Sequence, residues 1–170
     1  MTQQQMQQLY QQLADFQQSN ETFYVWQQTQ TLLPTTFRIY AGITVQQAAA
    51  LAALNVPADL ITLLKCSNGI DFFSSKTKPQ HALGRLLSYQ ELIKLHQTKL
   101  QNPLFAKLSN FTFFKFNQRD FVTLDLTQSA AERLTFKVSN GRQFQDTLYQ
   151  FFAAFLVSPG HVTAWRWFTD

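Results

Sequence analysis

The sequence predicts an α+β fold, a mostly antiparallel sheet packed with helices behind an N-terminal helical extension. Three observations carry this. Segments with helical spacing dominate the first sixty-odd residues, alternating segments joined by short turns dominate the later part, and an apolar helix closes the pattern. Hydrophobic residues make up 45% of the 170-residue chain and 17 residues are phenylalanine, which excludes disorder for most of it. A chain of this length buries roughly 70% of its unfolded surface, enough for one domain with a substantial core.

Met6, Leu9, Tyr10, Leu13 and Phe16 fall on one helical face, with glutamines on the other. Asn20 and Glu21 break that helix. Phe23, Tyr24 and Trp26 suggest a second, aromatic-rich helix ending before Pro34, so residues 1–43 read as the helical extension. Thr44 caps a helix over "VQQAAALAAL". Pro57 and Asp59 suit the first turn of the next helix, whose buried stripe is Leu60, Leu63 and Leu64. Asn68-Gly69 stops it with a left-handed residue and feeds "IDFF", a strand.

After the polar loop "SSKTKPQH", "ALGRLLS" reads as a strand. Ser88 and Glu91 form a capping box for "YQELIKLHQTKL", with Leu92, Leu95 and, more loosely, Leu100 inward, and Pro103 beyond its end. "FTFFKFNQRDFVTLDLT" reads as a hairpin. A connection from Gln118 to Asp120 puts Phe116 opposite Val122 and Phe114 opposite Leu124. "RLTFKV" is a further strand, closed by Ser139-Asn140-Gly141. Phe144, Leu148, Phe151, Phe152 and Phe155 mark the last helix, and "HVTAWRWF" is an alternating tail. No internal repeat divides the chain.

Charged residues are only 14%, below the usual ~25%, and 23 glutamines, 12 of them in the first 30 residues, supply much of the polarity. The net charge is +4 and uneven. Residues 1–37 hold no Lys or Arg, whereas Lys65 to Lys115 holds eight basic residues against Asp71 and Glu91. Such a segment could meet nucleic acid or an acidic protein, or be an ordinary solvated surface. Cys66 is the only cysteine, which excludes an internal disulfide and fits a reducing compartment. The N-terminus has no signal-peptide pattern and no apolar run is long enough to span a membrane, so a cytoplasmic protein is expected.

No catalytic or metal signature is expected from these residues. Cys66 with His81 or His96 could form a nucleophile–base pair, but a thiol in the last turn of an apolar helix is ordinary core. His81, His96 and His161 lack metal-ligand spacing, no Asp/Glu cluster suits Mg²⁺, and the five glycines make no phosphate loop. Aromatics in "FTFFKFNQR" could stack bases beside Lys115 and Arg119, but core packing is the favoured reading, and no nucleic-acid partner is expected.

Four blocks in order resemble the SUKH superfamily, which includes bacterial toxin immunity proteins and fungal regulators of cell-wall synthesis. They are Val56-Pro57 with Asp59, Leu60, Leu63, Leu64 and Asn68-Gly69; then Leu86, Leu87, Ser88 and Glu91; then Phe114, Phe116, Leu124 and Asp125; and last Phe144 ahead of Leu148 and Phe152. The resemblance covers residues 44–157 of a single SUKH-like domain, with the extension 1–43 before it and the tail 158–170 after it. The chain departs from the family in having "NQRD" where a glycine-rich turn is usual, and in its basic balance.

The resemblance implies an immunity protein that binds a cognate bacterial toxin and occludes its active site, without enzymatic activity, cofactor or membrane. The alternative is a non-enzymatic regulatory or adaptor protein that recruits protein partners. The shared residues look like scaffold, so partner contacts must come from elsewhere. Arg119 and Asp120 at a hairpin tip are candidates, since loop tips on a rigid scaffold carry function. Trp165, Arg166 and Trp167 in the tail are others, because tryptophan and arginine are enriched at binding hot spots.

Overall fold

Helix starts and stops set the path of the chain. The computed structural model describes residues 2–26, 31–116 and 120–157. Helix α1 (Thr2–Gln18) ends before Asn20, whose φ of 52° reverses the chain into strand β1 (Phe23–Trp26) and then β2 (Leu32–Ile39). Thr44 and Gln47 make a capping box for α2 (Val45–Ala53), and α3 (Ala58–Cys66) starts directly after Pro57. Gly69, at φ 98°, turns the chain from α3 into β3 (Ile70–Ser75), as expected for an Asn-Gly stop. Next come β4 (Ala82–Leu86) and α4 (Tyr89–Gln101), the latter opened by the Ser88–Glu91 capping box. Strands β5 (Asn110–Phe116) and β6 (Asp120–Asp125), a 3-10 turn at Leu126–Gln128, β7 (Leu134–Val138), β8 (Gln143–Asp146) and α5 (Leu148–Val157) complete the order.

The architecture is α+β. The eight strands form one antiparallel sheet in which each pairs with its neighbours in sequence, from β1 at one edge to β8 at the other. One sheet face carries the core. Phe72, Phe113, Phe114 and Phe136 meet Phe151, Phe152 and Phe155 of α5, with ring centroids 5.2–6.4 Å apart in the pairs that touch. Met6, Leu9 and Leu13 of α1 and Leu60, Leu63 and Leu64 of α3 are buried in the same cluster. Gly84 in β4 makes room for it. A Cβ there would lie 2.3 Å from the Phe155 ring and 2.6 Å from that of Phe114.

Two bulges crowd phenylalanine onto this face. Between Thr36 and Arg38 of β2 lies only Phe37, whereas Ser74 and Asp71 of β3 are separated by both Phe72 and Phe73. Phe73 takes φ 52°, uncommon for a bulky residue, and both rings enter the core. In β5 the register shifts between Thr112 and Phe114, so Phe111, Phe113, Phe114 and Phe116 are all buried. The base-stacking aromatics considered for this strand are therefore core residues.

Four sequence expectations are corrected. Phe23, Tyr24 and Trp26 belong to a β-hairpin, not a helix, with Phe23 opposite Thr35 and Tyr24 opposite Pro34. Aromatic and β-branched residues on both arms favour a pleated surface, and pairing with β3 provides it, so residues 1–43 are a helix plus two strands of the main sheet. The β5–β6 register is two residues from that expected, with Phe116 opposite Asp120 and Phe114 opposite Val122. An even slip keeps every side chain on its face, and the β5 bulge then brings Phe111 opposite Leu124. Phe144 lies in β8, stacked on Phe136 at 5.0 Å, and the last helix begins only at Leu148. Leu100 is half exposed rather than on the buried side of α4.

Candidate functional site

The other face of the sheet carries charge, and the strand pattern dictates it. Arg38 lies between Phe37 and Ile39, Asp71 between Ile70 and Phe72, Arg85 between Gly84 and Leu86, and Lys115 between Phe114 and Phe116. Alternate residues of a strand point to opposite faces, so each charged residue is turned away from the core. Register then aligns the four. Arg38 pairs with Asp71, Asp71 with Arg85, and Arg85 with Lys115, in one row across β2, β3, β4 and β5.

This row floors an open cleft of about 780 Å³, walled by Tyr40 and the segment 79–82. Asp71 is buried at its centre. The Tyr40 hydroxyl donates to Asp71 Oδ2 at 2.6 Å, and Arg85 Nε lies 2.9 Å from Oδ1. Oδ1 has no in-line hydrogen-bond donor, so its contact with Arg85 is an ion pair rather than a directed hydrogen bond. Arg85 Nη1 reaches Glu91 Oε1 at 3.2 Å, while Glu91 Oε2 accepts from the Ser88 amide at 2.9 Å. One carboxylate thus caps α4 and anchors the arginine. Burial, followed by the hydrogen bond and negative charge of Asp71, raises the Tyr40 phenol above its usual pKa and keeps it a donor. Lys115 extends over the Phe121 ring, 5.4 Å from its centroid.

The wall beside the cleft is tied down. The Ser74 hydroxyl donates to the Pro79 carbonyl at 3.0 Å, and the Ser75 amide donates to the His81 carbonyl at 2.8 Å. Lys76 Nζ donates to the Thr22 hydroxyl at 2.6 Å, joining this loop to the start of β1. Such a rigid, charged, concave surface can bind a partner by electrostatic complementarity.

A second surface follows α4. Leu100, Leu104, Phe105 and Leu108 are exposed within nine residues, with Leu104 at 82%. Lys99 Nζ donates to the Leu108 and Asn110 carbonyls, both at 2.6 Å, and fixes the base of that turn. His96, one turn earlier, has a buried Nδ1 without a partner, and its pKa is lowered by burial and then by Lys99.

Of the five residues singled out from sequence, Asp120 opens β6, and its Oδ1 accepts from the Ser139 hydroxyl at 2.8 Å. Arg119, Trp165, Arg166 and Trp167 lie outside the described residues. The basic segment contributes Arg85 and Lys115 to the cleft, but Arg38 comes from outside it. The legible signal for all four charges was a charged residue flanked by inward-facing neighbours, repeated in four strands.

The residues carrying the SUKH resemblance have structural partners. Asn68 joins two helices, its Oδ1 accepting from the Tyr89 amide at 2.6 Å and its Nδ2 donating to Gln90 at 3.2 Å. Asp125 caps the 3-10 turn, accepting from Ser109 at 2.6 Å and from the Thr127 hydroxyl at 2.7 Å and amide at 3.0 Å. Cys66 is half-buried, and burial pushes its thiol up, away from the thiolate form. Among the described residues no group of three His, Cys, Asp or Glu side chains could hold a metal ion, and no helix is long and apolar enough to cross a membrane. No family model, curated protein or solved structure matches the chain.

Proposed function

We propose that the chain is an immunity protein that binds a cognate bacterial toxin and occludes its active site. The observation that carries this is the cleft, a charged row held on a rigid sheet and open to a partner. Supporting it, the residues behind the SUKH resemblance act as caps, stops and core, which leaves the outer sheet face free to be shaped for one partner.

Neutralisation by occlusion requires only tight binding, with a few anchoring side chains carrying most of the affinity. The test is survival. Cells expressing toxins encoded in neighbouring genes are challenged with and without this chain, and the purified pair is titrated by calorimetry. Rescue together with a stoichiometric complex is expected for an immunity protein. Binding without rescue replaces the reading with a partner-recruiting adaptor, and the absence of both overturns it.

A further inference from the structure

We propose that the cleft across β2–β5 receives an acidic segment of a protein partner, which sets one carboxylate on Arg38 and another on Lys115. The charge order along the row carries this. Arg85 and Asp71 neutralise one another at the centre, and Arg85 also holds Glu91, so the middle of the row has no cation to spare. Arg38 and Lys115, at the two ends, form no ion pair with a carboxylate among the described residues. Their backbones stand three strand spacings apart, about 14 Å.

A small compact anion at the centre would meet the Asp71 carboxylate. A ligand with negative groups spaced to straddle that pair meets the two free cations instead. Carboxylates four residues apart on an extended chain span about 13 Å, which matches. A nucleic-acid strand, with continuous negative charge, would have to lay phosphates across Asp71 and Glu91. The charge pattern therefore favours an acidic peptide segment.

The proposal rests on the immunity reading only for the identity of its natural partner, so the probe is independent of any toxin. A fluorescein-labelled peptide with two glutamates four residues apart and only glycine and serine elsewhere is titrated with the full chain in low-salt buffer and followed by anisotropy. Amide chemical shifts locate the contact. Arg38→Gln and Lys115→Gln should each weaken binding about threefold, and together roughly tenfold, the scale of screened ion pairs. The exposed lysines of Lys94→Gln and Lys107→Gln serve as controls and should leave it unchanged. Melting midpoints of all variants should stay close to the wild-type value, because among the described residues neither substitution breaks an ion pair and Lys115→Gln gives up only the contact with the Phe121 ring.

Inorganic phosphate and oligothymidylate are run as competitors. Displacement of the peptide by phosphate, or tighter binding of the oligonucleotide, overturns the acidic-segment assignment, as does unaltered binding by the double variant. Peptide binding in the cleft without toxin rescue keeps this proposal and removes the immunity reading. Toxin rescue undiminished in the double variant does the reverse.

Discussion

Gly69 shows how one residue links helix, sheet and cleft. Its φ of 98° turns α3 into β3, which carries Asp71 two residues later. A Cβ at this position would lie 3.2 Å from the Leu86 carbonyl oxygen and 3.4 Å from the Ser88 amide nitrogen, both backbone atoms. A β-branched side chain resists the left-handed region and has no room to relax. Gly69→Val should therefore destabilise by more than ~1 kcal/mol. Urea denaturation measures this, and an unchanged midpoint would refute it. Asn68 and Gly69 could be recognised in sequence because turn chemistry is local. The partners of Asn68 on α4 could not, because they lie more than twenty residues away.

At the scale of elements, the turn between β6 and β7 depends on one carboxylate. Hydrogen bonds from Ser109, then from Thr127, hold Asp125 below the usual carboxylate range. A depressed folded-state pKa means that the stabilisation is complete above the unfolded pKa and is lost as pH falls through the folded one. Wild type should therefore be more stable than Asp125→Asn at neutral pH, with the difference shrinking below the ordinary carboxylate value of about 3.9. Urea midpoints across an acid series check this, and a constant difference down to the acid end would show that the charge plays no part. Thr127 reaches Asp125 through the local 3-10 turn, whereas Ser109, just before β5, is brought to it by β5–β6 pairing. The sequence marked Asp125 as a position worth noting, but not its partners.

For the whole molecule, the N-terminal segment is part of the core. Met6, Leu9 and Leu13 are at most 3% exposed, and α1 packs against α3, β2 and α5. Burying three such side chains is worth ~1.5–3 kcal/mol each, a sum comparable with a typical net stability of ~5–15 kcal/mol. Removal of residues 1–19 should abolish the cooperative thermal transition seen by circular dichroism. A truncated chain that melts cooperatively at the full-length midpoint would mean that α1 is dispensable. The same segment shows where sequence pattern misleads. "FYVW" has no decisive period over so few residues, and it became a strand because a second arm and β3 were available to pair with it.

The sequence by itself determined the α+β class, the caps at Thr44 and Ser88, the stop at Asn68-Gly69 and most of the core positions. These follow from side-chain period and backbone preference, which act within a few residues. Only the tertiary structure decided the two phenylalanine bulges, the placement of β1, β2 and β8, and the meeting of Arg38, Asp71, Arg85 and Lys115. Those four residues are spread over 78 positions of sequence. Each pattern that turns one of them outward is local, but the row exists only because strand register places the four side by side, and register is settled by which apolar faces can be buried together.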